Sequence, residues 1–165
     1  MFDPARILRT LNERQVAYLV IGGVASRVHG SPTLTGDLDI CYERSTPNLE
    51  ALAAALRQLQ ARLRGPGIPP DLPFQLDAMT LNMGDHFTFT TDAGDLDCLG
   101  IPAGTTGYDD LIRGAVTVLL DDQLSVMAAA IEDLIRMKRA ANRPKDRVEL
   151  EILSALREEI ERKSP

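Results

Sequence analysis

Cysteine and histidine are scarce, with two of each in 165 residues. A structural zinc site needs more soft ligands than that supply readily gives, and a disulfide framework is excluded. Cys41 falls on the same strand face as Asp39, and Cys98 follows Asp97 and faces the other way. Both read as reduced, buried thiols of a cytoplasmic protein. No apolar run reaches the length that crosses a bilayer, and the start M-F-D-P-A-R has no apolar signal segment, so no membrane association is expected. Excess positive charge is also missing. The net charge of −6 argues against general DNA or RNA binding while leaving room for a local basic site. Internal repeats, low-complexity tracts and dividing linkers are absent, so the length reads as a single domain, 1–165, with a core over about 1–128 and a C-terminal helical segment over about 129–162.

What is present is ordinary globular material, 44% apolar and 25% charged. Asp3-Pro4 is an N-cap followed by proline in the first turn, opening a helix to near Arg14. Val16–Ile21 reads as a strand buried on both faces. Thr46-Pro47 opens a helix that leucines at 49, 52, 56, 59 and 63 carry to about Arg64. Gly65–Pro73 has neither helical nor strand period and reads as a loop, either a lid or an insertion. Residues 74–83 are ambiguous. Strands follow at 85–91 and 95–100, with a turn at Asp92-Ala93-Gly94 between them. A short helix at 107–113, strands at 116–120 and 124–127, and helices at 129–141 and about 145–162 complete the chain.

The chemistry concentrates in Tyr18–Tyr42, an apolar run stopped by Gly22-Gly23, a short helical stretch from Val24 to about His29, a break at Gly30-Ser31-Pro32, and an Asp37-x-Asp39 strand. Glycine lets a ligand approach the backbone, and a glycine turn entering a helix offers unpaired N–H groups to an anion. Residues two apart on a strand share a face, so Asp37 and Asp39 project together. Two such carboxylates repel unless a cation lies between them, and oxygen ligands at that spacing suit Mg2+ or Mn2+. A bare D-x-D is more often a solvated strand end, and the upstream glycine pair reverses that balance. A third carboxylate comes from the strand D-L-D-C-L-G, where Asp95 and Asp97 share a face; Asp97 is preferred because Asp95 adjoins the turn. In an acidic chain, Arg136, Lys138, Arg139, Arg143, Lys145 and Arg147 form a local basic joint opposed only by Asp146. Lys138, with Arg143 and Lys145, is suited to a triphosphate.

G-G-V-A-S-R-V-H-G-S-P-T-L-T-G-D-L-D-I, D-A-G-D-L-D-C-L-G and L-I-R-M-K-R-A-A-N-R-P-K-D occur in that order, and together they resemble the DNA-polymerase-β-like nucleotidyltransferase superfamily, especially its small bacterial abortive-infection and toxin–antitoxin members. The resemblance implies an α+β, two-layer nucleotidyltransferase fold: a mixed central sheet with helices packed on it and C-terminal helices. It implies metal-ligating and catalytic roles for Asp37, Asp39 and Asp97, a phosphate turn at Gly22 and Gly23, and nucleotide contacts at Lys138, Arg143 and Lys145. Two Mg2+ or Mn2+ ions and an NTP such as ATP would serve transfer of an NMP to a hydroxyl of tRNA, protein or a small molecule, with an antitoxin as a further expected partner. One position departs from the pattern. Where similar proteins place arginine between the proline and T-x-D-x-D, this chain has Thr33, and the alternative is a catalytically impaired nucleotide- or partner-binding module.

Overall fold

The computed structural model describes residues 1–164 and is of the α+β class. Helix α1 (Pro4–Glu13) opens on Asp3, whose carboxylate accepts from the Arg6 N–H at 3.0 Å. Strand β1 (Tyr18–Ile21) follows, entered only after Gln15 turns the chain at φ +57°. The strand therefore begins two residues later than the apolar run predicts. Next come α2 (Gly22–Val28), β2 (Asp37–Tyr42) and α3 (Thr46–Gln58). The glycine pair is itself the first turn of α2, not a lead-in to a helix at Val24. Helix α3 is capped by Ser45, whose hydroxyl accepts from the Asn48 N–H, one residue ahead of the expected Thr46.

The largest departure from the sequence reading is the end of α3. The leucine spacing carries a helix to Arg64, yet the helix stops at Gln58. Gln60 takes φ +55°, and the Ala61 N–H reaches back to the Leu56 carbonyl at 3.0 Å, which closes the helix with a left-handed turn lacking glycine. The chain then forms β3 (Arg62–Leu63), paired with β4 (His86–Thr91). The ambiguous stretch contains a short helix, α4 (Ala78–Asn82), capped by Asp77. Residues 65–73 are the expected loop, and Phe74 beyond it packs its ring 6.0–6.1 Å from Phe87 and Phe89.

Strand β5 (Gly94–Leu99) returns from β4, followed by α5 (Tyr108–Leu111), β6 (Val116–Asp121), β7 (Leu124–Ala128), α6 (Ile131–Ala141) and α7 (Pro144–Lys163). Helix α6 starts two residues late because the Ala129 N–H continues the sheet by donating to the Val20 carbonyl. Asn142, at φ +48°, ends it, and Pro144 opens α7. Among the described residues the strands form a seven-stranded mixed sheet in the order β3-β4-β5-β2-β1-β7-β6. Its centre is β2, antiparallel to β1 and parallel to β5. Leu19, Leu38, Ile40, Leu52, Leu56 and Leu96 are fully buried around these strands, so the middle of the sheet is the part held most firmly. Among the described residues no helix is long and apolar enough to cross a membrane.

Candidate active site

The β2–β5 register places Asp37 opposite Asp95 and Asp39 opposite Asp97. Because side chains alternate along a strand, all four carboxylates emerge on one face. Asp37, Asp39 and Asp97 each bring an oxygen within 4.8 Å of the others. Asp95 is diverted instead, accepting from the Thr90 hydroxyl at 3.0 Å. The neighbouring Cys41 and Cys98 are fully buried free thiols, and burial pushes the Cys41 thiol up to about 12.

The three acids are crowded. Burial first, then the charges of Asp37 and Asp97, push Asp39 up to about 7. Asp97 is also raised by burial, against a lowering pull from Arg64. Three carboxylate oxygens gathered this closely form a donor set that can bind a hard divalent ion.

The glycine pair makes this crowding possible. Gly22 lies at φ +66°, and a Cβ there would fall 2.1 Å from Asp39 Oδ2. A Cβ on Gly23 would meet Thr35 Oγ1 at 2.9 Å, and that hydroxyl donates to Asp37 Oδ1 at 3.1 Å. The two glycines thus let the acids and the first turn of α2 lie side by side. The first N–H groups of that helix have no carbonyl of their own turn to meet.

A cleft of about 390 Å³ opens beside the acids. Gly22, Asp39 and Asp97 line it together with the cations Lys138 and Arg143, and Ile101, Leu134 and Met137 add apolar surface. A larger, shallow depression of about 500 Å³, bounded by Arg57, Arg62 and Asp92, shares none of these residues.

The basic joint has more internal structure than its sequence suggests. Asp146 is wholly buried and receives Lys138 Nζ at 3.2 Å, Arg143 Nε at 2.8 Å and the Arg143 backbone N–H at 3.1 Å. Burial alone would raise its pKa, but these hydrogen bonds outweigh that and bring it down to about 2. Lys138 and Arg143 are thereby held against the cleft. Arg136 is committed elsewhere, to Asp110 at 3.0 Å and Asp133 at 2.8 Å. Lys145 is exposed on the first turn of α7 and does not line the cleft.

Three residues at or near the site carry no obvious mark in the sequence. Arg64, released from the expected helix, reaches Asp97 Oδ1 at 2.8 Å. Asp146 organises the basic wall. Glu149, on α7, accepts from the Ser31 hydroxyl at 3.1 Å and the Thr33 hydroxyl at 2.9 Å. Thr33, the departure from the expected pattern, therefore ties the segment before β2 to the last helix. The Asn142–Pro144 break would have placed Asp146 in the first turn of α7, where an acid is favourable, but nothing local signals that it is buried.

Compared by sequence, the chain matches no protein-family model and none of the curated proteins. Solved structures do match. The lincosamide antibiotic adenylyltransferase LnuA, in its lincomycin-bound crystal structure, has 12% identity and a TM-score of 0.61 over 92% of this chain and 94% of its own. The antibiotic-resistance factor ANT(2'')-Ia, in complex with adenylyl-2''-tobramycin, has 17% identity and a TM-score of 0.51 over 93% and 94%. TM1012 of Thermotoga maritima has 14% identity and a TM-score of 0.51 over 99% and 97%. At such identities it is the fold that is shared, along nearly the whole length of each chain.

Proposed function

We propose that this chain, which has the nucleotidyltransferase fold, moves a nucleoside monophosphate from an NTP to a hydroxyl of a small polar acceptor, in a metal-dependent reaction at Asp37, Asp39 and Asp97. The observation that carries the reading is the convergence of those three carboxylates from two parallel strands beside the Gly22 turn. Divalent ions such as Mg2+ or Mn2+, when bound, supply charge neutralisation and lower the pKa of the attacking hydroxyl. The chain's own part is to position and to balance charge.

In this reading Asp37, Asp39 and Asp97 hold the ions, with Asp97 on the acceptor side. Backbone N–H groups at Gly22 and Gly23 receive the phosphate chain. Lys138 uses one of its three N–H donors on Asp146 and turns the others toward the leaving pyrophosphate. Arg143, whose Nε and Nη2 are taken by Asp146, contributes Nη1. The acceptor oxygen bonds to the α-phosphorus as the bond to the β-phosphate oxygen breaks, and pyrophosphate leaves along the basic wall. The net charge of −6 favours a small or cationic acceptor over a polyanion, and two of the structural neighbours carry antibiotics or their adenylylated product.

Incubation with each labelled NTP, Mg2+ or Mn2+, a panel of hydroxylated antibiotics and total RNA tests the reading, with pyrophosphate and a product heavier by one NMP as readouts. Asp39→Asn is expected to lower turnover at least 10³-fold, about 4 kcal/mol of barrier. An unchanged rate contradicts the assignment. Product on RNA, with binding that falls steeply in salt, would replace the small acceptor by tRNA. A second reading, a nucleotide- or antitoxin-binding module without turnover, draws on Thr33, whose hydroxyl is already engaged by Glu149. Nucleotide binding without any pyrophosphate favours it.

A further inference from the structure

Arg64 sits on the acid cluster because of how α3 ends. The turn at Gln60 sends the chain along β4, and the Arg64 N–H donates to the Thr88 carbonyl at 3.0 Å. Its side chain then crosses β4 toward β5. Nε donates to the Phe89 carbonyl at 3.2 Å and Nη2 to Asp97 Oδ1 at 2.8 Å. Asp37 Oδ2 lies 3.7 Å from Nη2, and Asp95 Oδ2 lies 3.6 Å from Nε. One guanidinium thus faces three of the four carboxylates on this face. Lys138 and Arg143, by contrast, are tied to Asp146 and reach Asp39 only through space.

We infer that Arg64 is the built-in counter-ion of the acid cluster, competing with the divalent ion for Asp37 and Asp97 and withdrawing from Asp97 when the ion loads. The inference rests on the metal centre proposed above and adds a residue that sets its affinity. A divalent ion bound to an Asp97 oxygen lies about 2–2.6 Å from it, so the guanidinium 2.8 Å from the same carboxylate would confront a double positive charge at short range. The side chain is about one-third exposed and can turn to solvent, whereas Asp97 is fixed by the β2–β5 register. A residue that merely orients Asp97 for the ion would have the opposite consequence: its removal would weaken metal binding.

Calorimetric titration of Mn2+ into the full chain and its variants separates the two. Arg64→Gln is expected to bind Mn2+ about tenfold more tightly, since a repelling charge is gone, while Arg64→Lys stays within about threefold of the wild type. Equal or weaker binding by Arg64→Gln overturns the inference. A wild type that binds Mn2+ and an Asp39→Asn variant that does not would show, in that event, that the metal centre itself stands. No Mn2+ binding by the wild type overturns both. A second measurement needs no variant: the Arg64 Nε–H resonance of the wild-type chain is expected to move on Mg2+ titration, and a resonance unmoved at saturating Mg2+ overturns the inference.

Discussion

Two carboxylates shielded from water behave in opposite ways here. Asp39 is pushed up to about 7, and Asp146, although wholly buried, is held at about 2. Burial raises both; the neighbours decide the outcome. Around Asp39 they are other acids, and around Asp146 they are Lys138 and Arg143. A satisfied buried carboxylate is structural, because the protein supplies the counter-charge itself. An acid crowded by other acids leaves a demand that a ligand can meet. This difference separates the two walls of the cleft better than their charges do.

The comparison breaks first at Asp146. Replacing it with alanine leaves Lys138 and Arg143 facing each other without their shared partner. Because both can partly reach solvent, the cost falls at the low end for a broken buried pair, about 3 kcal/mol. At this chain length that is a drop in Tm of roughly 6–12 °C. Since its folded pKa is depressed, the stability that Asp146 contributes is present above pH ~4 and lost as pH falls toward 2. Denaturant titrations at pH 7 and pH 2.5 check both the size and the direction.

Gly22→Ala comes next. A side chain at φ +66° is strained, and its Cβ would collide with Asp39 Oδ2, so a loss of about 2 kcal/mol is expected together with loss of metal binding. A stable variant with intact Mn2+ affinity would show that Gly22 does not hold this geometry.

Asp39→Asn should have the reverse sign. A raised folded pKa penalises folding as pH climbs from about 4 through about 7, so removing the charge is expected to stabilise the metal-free chain by about 1 kcal/mol at pH 8. The gain should vanish below pH 4. Thermal unfolding in chelator, compared at pH 8 and pH 4, measures it. The smallest effect is Thr33→Val, which removes one of two hydroxyl donors to Glu149 and should cost about 0.5–1 kcal/mol.

The acid side of this comparison was legible in the sequence, and the rest was less so. Asp37, Asp39 and Asp97 sit on strands, where a period of two fixes which side chains share a face, and the only missing fact was that β2 and β5 are adjacent. Arg64 was hidden by Leu56, Leu59 and Leu63, whose spacing continues a helix that Gln60 ends without the glycine that usually announces such a turn. Asp146 looked like one acid among many bases, since burial is a tertiary property and leaves no local trace. Glu149 and Thr33 are 116 residues apart, and only the packing of α7 joins them. Lys145 shows the converse: it belongs to the basic run in sequence, but it is exposed on the first turn of α7 and does not line the cleft.

The central claim, that Asp97 rather than Asp95 completes a catalytic metal centre with Asp37 and Asp39, is tested most directly by pyrophosphate release from NTP and Mg2+ in the two asparagine variants, measured side by side with an acceptor that the wild type uses. Asp97→Asn is expected to fall at least 10³-fold and Asp95→Asn to stay within about tenfold of the wild type. Wild-type release from Asp97→Asn, or loss confined to Asp95→Asn, would contradict it.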